Sequence, residues 1–178
     1  MEAKHLHIVM HEVPYPADFG GVVDLFHKLV WLHKNDVKIH LHCFVHKRPA
    51  QDKLLEYCTS VTYYKRKIGL SGFSFRLPYI VSSRISRELI DNLSKDNYPI
   101  LIEGVHCAYP LYIDALKGRT VILRLHNVEF EYYRHLAKFE HNPFKKIYFN
   151  LESKLLRRFE SNIASKATIA CVSEHDEN

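Results

Sequence analysis

The sequence lacks the patterns that mark membrane spans, exported precursors and zinc sites. No apolar run reaches the roughly 18 residues that a membrane-spanning helix requires. Residues 1–5 lead directly into a strand-like pattern, without the basic start and apolar stretch of a signal peptide. The four cysteines include no C-x-x-C pair, which argues against a zinc or disulfide framework and favours free thiols. These absences predict a cytoplasmic protein.

The common signatures of catalytic and cofactor sites are missing as well. There is no G-x-G-x-x-G fingerprint, no P-loop and no G-x-S-x-G elbow, which disfavours an NAD site, a P-loop nucleotide site and a serine hydrolase. His5 and His7 alternate along one strand, and His40 and His42 along another, so each pair shares a face. No cysteine or carboxylate completes a metal-ligand set at a recognised spacing. We therefore expect neither a metal nor a cofactor.

What is present fits one globular domain. The chain has 178 residues, of which 47% are hydrophobic and 25% charged. Its net charge of +5 favours anionic partners such as nucleotide phosphates, nucleic acid or an acidic membrane surface. Basic pairs such as Lys145-Lys146 and Arg157-Arg158 are scattered along a helix surface instead of forming a basic face. We therefore expect no nucleic-acid partner.

Strand and helix patterns alternate along the whole chain. The predicted strands cover 5–11, 37–44, 61–64, 100–103, 121–125 and 168–172. The predicted helices cover 20–35, 51–57, 82–93, 109–116, 128–140 and 143–163, the last with an apolar stripe along one face. This rhythm predicts an α/β fold, a Rossmann-like three-layer sandwich with a mostly parallel sheet. Ligands of such sheets bind beyond the carboxyl ends of the strands.

A glycine pair stands between the first strand and the first helix. In Asp18-Phe19-Gly20-Gly21 the two glycines allow a ligand to approach the backbone, and the helix N-terminus offers N–H groups to a phosphate. The alternative is a plain turn in which the glycines serve only the backbone angle. Both interpretations fit the sequence.

A second candidate follows the fifth strand. Arg124 and His126 fall on the same side of the strand, which places His126 at its carboxyl end facing the crevice. Asn127 can cap the next helix, and Glu129 suits the positive end of that helix. The alternative is that Asn127 and Glu129 only cap the helix while His126 makes a structural hydrogen bond.

A third candidate ends the fourth strand. Glu103-Gly104-Val105-His106 offers a carboxylate and an imidazole, with a glycine that lets a ligand come near. A histidine satisfied within a loop is the alternative for His106.

A basic loop follows the third strand. Lys65, Arg66 and Lys67 precede Phe73 and further aromatic residues, a composition that suits docking on an anionic membrane surface. The alternative is a solvated loop that packs one or two aromatic rings.

The end of the chain carries a helix-start signal. Ser173 to Asp176 have the S-x-x-D form of a capping box, which opens a helix, whereas the sequence stops at Asn178. We expect the natural protein to continue and residues 1–178 to be one excised domain.

Taken in order, these segments resemble the glycosyltransferases of the GT-B fold, specifically the large retaining family 4. The resemblance rests on four segments, which are Phe19-Gly20-Gly21, the stretch 124–129 with Tyr132-Tyr133, the helix from Glu152 to Glu160, and the strand end 170–176. It extends over essentially the whole chain.

The resemblance implies two Rossmann-like domains facing across a cleft, of which residues 1–178 are the N-terminal, acceptor-side one. The C-terminal domain that binds the nucleotide sugar would be absent, so the isolated domain would be inactive. His126 would lie beside the transferring sugar, and the catalytic step would need no metal. The acceptor would be a glycan or a lipid-linked molecule. Donor- or acceptor-binding residues would be Asp18, Gly20, Gly21, His106, Arg124, Asn127 and Glu129.

Two rival interpretations stay open. One is a self-contained flavodoxin-like protein that binds a phosphorylated small molecule, against which the capping box at the end argues. The other is a non-catalytic interaction domain for an anionic partner, which would need its basic residues on one face.

Overall fold

The computed structural model describes residues 3–171, in which helices and parallel strands alternate. The strands are β1 (Lys4–Met10), β2 (Val37–Val45), β3 (Ser60–Lys65), β4 (Ile100–Glu103), β5 (Val121–Leu125) and β6 (Thr168–Cys171). The helices are α1 (Gly20–Lys34), α2 (Tyr79–Ser82), α3 (Arg87–Leu93), α4 (Tyr109–Tyr112), α5 (Glu129–Phe139) and α6 (Pro143–Ile163). Three short 3-10 turns cover Asp52–Glu56, Gly69–Gly72 and Val105–Cys107. The predicted capping box at 173–176 lies outside the described residues.

The six strands form one sheet in the order β3-β2-β1-β4-β5-β6, and every neighbouring pair is parallel. Helices flank the sheet, so the predicted Rossmann-like three-layer fold is confirmed. The chain moves outward from β1 to β3 and then returns to β4 on the other side of β1. The carboxyl ends of β1 and β4 therefore form the switch point where ligands of such sheets bind.

Alternation along β1 divides the core into two layers. Ile8 and Met10 face α1 and pack in one cluster with its Leu25. Val9 faces the opposite side and belongs to the cluster that contains Leu156 of α6. The sheet is thus fixed from both faces, which holds the loops at its carboxyl edge in place.

The strand histidines are built into the second layer. His7 and His42 are 4% exposed, and Nδ1 of His7 lies 2.9 Å from Nε2 of His42. Nε2 of His7 bonds Asp96 at 3.0 Å, and Nδ1 of His42 bonds the Tyr64 hydroxyl at 2.8 Å. The pairs share a face as alternation predicts, and their ring nitrogens satisfy one another and nearby polar groups.

The predicted helices at 82–93 and 109–116 are wrong in extent. The first is replaced by α2 and α3, because Ser86 leaves the helical conformation and its hydroxyl accepts from the backbone N–H of Leu89 at 3.2 Å, starting a new helix. The second ends at Tyr112, since Asp114 adopts a left-handed backbone with φ of 57°.

The apolar stripe of α6 is only half buried. Leu156, Phe159 and Ile163 lie in the core, whereas Phe144 is 81% exposed and Leu151 is exposed as well. The first turns of α6 therefore leave apolar side chains at the surface instead of extending the core. No helix among residues 3–171 is both long enough and apolar enough to cross a membrane.

Candidate ligand-binding cleft

A cleft of about 250 Å³ opens at the carboxyl ends of β1, β4 and β5. It brings together five of the residues predicted to bind a ligand or act in catalysis, which are Gly21, His106, His126, Asn127 and Glu129. His11, Glu12 and Phe19 line it as well. The cleft lies at the switch point, where a parallel sheet of this order places its ligands.

The N-terminus of α1 borders this cleft with its donors available. Phe19 is the N-cap, no side chain caps the helix, and its first turn carries no acidic residue. A Cβ atom added at Gly20 or Gly21 would meet nothing within 4 Å, and neither glycine has a positive φ. The backbone angle therefore does not require glycine at either position. A Cβ would extend into open space before the helix N-terminus, and such a terminus attracts anions.

A fully buried carboxylate, Glu103, lies behind the cleft-lining His126, and neither Glu103 nor the predicted site residue Arg124 lines the cleft itself. Lys28 Nζ makes an ion pair with Oε1 of Glu103, and Arg124 Nη1 lies 3.2 Å from its Oε2. Burial by itself would raise the pKa of Glu103, but the hydrogen bond with His126 and the charges of Lys28 and Arg124 lower it to about 2. Glu103 is thus a permanent anion at neutral pH.

The ionised Glu103 also fixes the orientation of His126. Nε2 of His126 lies 3.2 Å from Oε2 of Glu103 and 3.5 Å from Nη1 of Arg124. An ionised carboxylate only accepts hydrogen bonds, so Nε2 must carry the proton. In the neutral ring Nδ1 is then the acceptor, available to a ligand hydroxyl.

The start of α5 differs from its prediction. Asn127 does not cap the helix, because the N-cap is Val128, which makes no side-chain hydrogen bond. Asn127 is instead exposed at the cleft. Backbone N–H groups at the start of α5 interact with Glu160 of α6, whose pKa is raised to about 7 by burial and by the charge of Glu129. Burial also raises the pKa of Glu129, although His11 and His126 oppose the shift.

His106 and His11 form the back of the cleft. Their rings stack with centroids 4.8 Å apart, and within residues 3–171 neither Nδ1 atom has a hydrogen-bond partner. Burial and the charges of His11 and Arg84 hold the pKa of His106 well below its usual range. Gly104 has φ of +80°, and a Cβ there would lie 3.1 Å from Nδ1 of His106. Glycine is required at this position because the backbone has a positive φ and because a Cβ would crowd the ring of His106.

The remaining predicted residues lie outside the cleft. Asp18 forms an ion pair with Arg48, at 2.8 Å from Oδ1 to Nη1, and Gly20 begins α1 beside the cleft. Lys65 and Lys67 are exposed and Phe73 is 47% exposed. Arg66 is partly buried, and its Nε donates to the Ser83 hydroxyl at 3.2 Å.

Sequence reasoning missed Asp24 and Lys28. Arg124 Nη1 lies 2.7 Å from Oδ2 of Asp24, and Lys28 reaches Glu103, so α1 is tied to β4 and β5 by charge. A signal was available, since Asp24 and Lys28 are four residues apart and directly precede the buried Leu25 and Leu29. Their partners could not be named without the sheet order.

Six parallel strands with a cleft at the switch point place the chain in the Rossmann-like α/β class. A search against descriptions of known protein families finds no match. Among curated proteins, the chain is similar to an uncharacterized 44.6 kDa protein in the cps region of Klebsiella pneumoniae, with 29% identity over 165 residues. The similar region covers 89% of this chain and 42% of that protein, so the chain spans about two fifths of the length of its relative.

Proposed function

We propose that the chain is the acceptor-side domain of a retaining glycosyltransferase that moves a sugar from a nucleotide-sugar donor to a glycan or lipid-linked acceptor. The observation that carries the proposal is the convergence of the α1 N-terminus at Gly21 with His126, Asn127 and Glu129 around one cleft. The relative from a capsule polysaccharide (cps) region supports it, because glycosyl transfer is the chemistry that assembles polysaccharides.

The groups of the cleft suit this reaction. The uncapped start of α1 presents N–H groups and a partial positive charge to the anionic part of a donor. Nδ1 of His126 accepts a hydrogen bond from a sugar hydroxyl, while Glu103 holds the ring from the other side. Asn127 does not cap α5, so its side-chain amide can make a second polar contact with the sugar.

A second domain would complete the site. The relative has a mass of 44.6 kDa and this chain 21.0 kDa, so the remainder of the relative can hold another domain of similar size. In the proposed enzyme that domain binds most of the nucleotide and supplies the cations that stabilise the leaving diphosphate. The 178-residue chain alone would then bind the donor weakly and not turn it over.

The test is a screen of the full-length protein against nucleotide sugars for donor hydrolysis and thermal shift. The proposal expects at least one nucleotide sugar to be hydrolysed, and His126→Ala to lower turnover by about 100-fold while circular dichroism shows that the variant is folded. His135→Ala, on the exposed side of α5, is the matched control. If no nucleotide sugar binds, or a phosphorylated small molecule binds instead, the proposed function is wrong.

A peripheral membrane contact belongs to the same proposal. In the loop after β3, Leu70 is 93% and Phe75 is 89% exposed, and the exposed Lys65 and Lys67 precede them. Cations beside apolar side chains bind the surface of an anionic bilayer. We expect sedimentation with phosphatidylglycerol vesicles but not with phosphatidylcholine vesicles, and Leu70→Ser with Phe75→Ser to abolish it. Equal sedimentation of the double variant would reject this contact.

A further inference from the structure

A second, smaller pocket adjoins the cleft along the same edge of the sheet. It has a volume of about 70 Å³ and is lined by residues at or just after the carboxyl ends of β1, β2 and β3, together with Arg84, which follows α2. His11 and Glu12 line both cavities, so the two are neighbours. The cations of the small pocket are Lys47, Arg48, Arg66 and Arg84.

Arg84 is the most deeply placed of these cations. The residue is 7% exposed, its Nε donates to the carbonyl oxygen of His11 at 3.1 Å, and its Nη1 donates to that of Ile80 at 2.7 Å. Two of the three guanidinium nitrogens are thus used to fix its position. Burial, assisted by the nearby charge of Arg66, lowers the pKa of Arg84 to about 10. A buried cation of this kind is costly unless an anion accompanies it.

The chain itself supplies little of that negative charge. Among residues 3–171, neither Arg84 nor Arg66 has a carboxylate oxygen within 4 Å. Glu12 is the one carboxylate in the lining, and its Oε1 already lies 3.5 Å from Nε2 of His11. Arg48 is paired with Asp18 outside the lining, so Lys47, Arg66 and Arg84 are left with the single carboxylate of Glu12 in this pocket.

The other arginines are held in place in the same way. Nε of Arg66 donates to Ser83, and its guanidinium lies 5.8 Å from the centre of the Tyr79 ring. Arg48 pairs with Asp18 and donates to the carbonyl oxygen of Pro16, while its buried Nε has no partner within the described residues. Guanidinium groups fixed before binding are suited to the planar oxygen pairs of a phosphate or carboxylate.

We propose that the Arg48–Arg66–Arg84 pocket is a subsite for an anionic oxygen group, a phosphate or a carboxylate, on the acceptor whose hydroxyl enters the neighbouring cleft. Assigning the anion to the acceptor rests on the glycosyltransferase function proposed above. A volume of about 70 Å³, against about 250 Å³ for the cleft, suits a single charged substituent and not a sugar ring. The acceptor is then an acidic glycan unit or a phosphate-bearing molecule.

The experiment measures the binding of inorganic phosphate to the chain by isothermal titration calorimetry, at constant ionic strength in chloride. We expect Arg66→Gln to weaken phosphate binding by about tenfold, the effect of losing one charge-assisted hydrogen bond. Arg87→Gln is the matched control, since it makes the same charge change at a side chain that is 91% exposed. Arg84→Lys tests the buried position, and circular dichroism confirms that each variant is folded.

Two further measurements identify the chemical group that carries the anion and the position where it binds. The binding of methyl phosphate and of glucuronate is compared with that of their neutral counterparts, methanol and glucose. The anion that binds more tightly indicates which acidic group the acceptor carries. His126→Ala should bind phosphate like the unchanged chain, because the subsite lies beside the cleft and not within it.

Three results would overturn the subsite. They are an absence of phosphate binding, equal weakening by Arg66→Gln and Arg87→Gln, or a loss of phosphate binding in His126→Ala but not in Arg66→Gln. Phosphate binding that persists in a full-length protein unable to use any nucleotide sugar would leave the subsite standing and reject only the proposed function.

Discussion

Nε2 of His126 lies 3.2 Å from Oε2 of Glu103, although the two residues are 23 positions apart in the chain. They meet because β4 and β5 are neighbours in the sheet and both strands end at the same edge. The carboxylate is fully buried and also holds Lys28 and Arg124, so one side chain couples the strand ends to α1. Orientation of the histidine and cohesion of the domain thus depend on the same group.

Replacing Glu103 should destabilise the domain. Glu103→Gln leaves the charges of Lys28 and Arg124 without their buried anion, and we expect a loss of about 3 kcal/mol in the free energy of unfolding, measured with urea. Adding Lys28→Met removes one of the stranded charges and should recover part of the loss. A decrease below about 1 kcal/mol would show that this network contributes no more than a surface ion pair does.

The glycines at the start of α1 should affect binding more than stability. A Cβ at Gly21 meets no atom within 4 Å, so we expect Gly21→Ala to leave the free energy of unfolding unchanged or raise it by about 0.5 kcal/mol. If the proposed glycosyltransferase function holds, donor turnover should nevertheless fall, since the methyl group enters the space before the helix. Turnover equal to that of the unchanged protein would contradict this role.

Gly104 provides the contrast within the same cleft. Gly104→Ala places a Cβ 3.1 Å from Nδ1 of His106 on a backbone with φ of +80°. We expect a loss of about 1–3 kcal/mol in the free energy of unfolding, the cost of a non-glycine residue at φ of 80° and ψ of 153°, a conformation that is almost exclusive to glycine. Thermal unfolding of both alanine variants checks the pair, and equal stability of the two would contradict the assigned difference.

The buried His42 should make the fold sensitive to acid. Burial and the neighbouring His7 lower the pKa of His42 to about 3. Below pH 6.5 the unfolded chain therefore binds a proton at His42 that the folded chain does not bind. Its contribution to stability is complete above pH 6.5 and falls by about 1.4 kcal/mol per pH unit as the pH drops toward 3.

Because other groups titrate as well, the measurement compares variants between pH 6.5 and pH 5. In His42→Gln the free energy of unfolding should change less steeply with pH, because the contribution of His42 to this dependence is removed. His135→Gln, at an exposed position, should keep the slope of the unchanged chain. An unchanged slope in His42→Gln would show that His42 does not remain neutral on acidification.

Glu160 should act in the opposite direction. Its pKa is raised to about 7, so between pH 4.5 and pH 7 the folded chain holds a proton that the unfolded chain has released. This contribution to stability is present at low pH and is lost as the pH rises through 7. We expect Glu160→Gln to match the unchanged chain at pH 5 and to be more stable at pH 8.

The matched control for Glu160 is Glu131→Gln, in the same region but on an exposed side chain of α5. Melting temperatures across pH 5 to 8 distinguish the two. If Glu131→Gln gains as much stability at pH 8 as Glu160→Gln does, general charge reduction and not the buried carboxyl explains the effect.

Local patterns in the sequence were sufficient for most of the fold. The strands β4 and β5 are found at the predicted positions, because short and mainly apolar runs are typical of parallel strands covered on both faces, although each carries one charged residue near its carboxyl end. Helix α6 begins after Asn142, whose side chain accepts from the N–H groups of Phe144 and Lys145. Such signals lie within a few residues of the structure they specify, which is why they can be interpreted in isolation.

The same locality explains the errors. The apolar spacing at 82–93 fits one helix, yet the hydroxyl of Ser86 accepts from the N–H of Leu89 and so starts a separate helix at Arg87. Asn127 looks like a helix cap because the sequence shows only its neighbours. The N–H groups at the start of α5 instead interact with Glu160. Glu160 lies in α6, a helix that begins later in the chain, so the residues around Asn127 give no sign of this interaction.

The sequence by itself determined that strands and helices alternate and that His126 follows a strand end, since both depend on the period of apolar residues. Only the tertiary structure decided which strand ends meet. The sheet order sets β1 between β2 and β4, and this brings the start of α1, His106 and His126 to one cleft and Arg48, Arg66 and Arg84 to the pocket beside it. Strand order is set by packing among distant segments, and no short stretch of the chain records it.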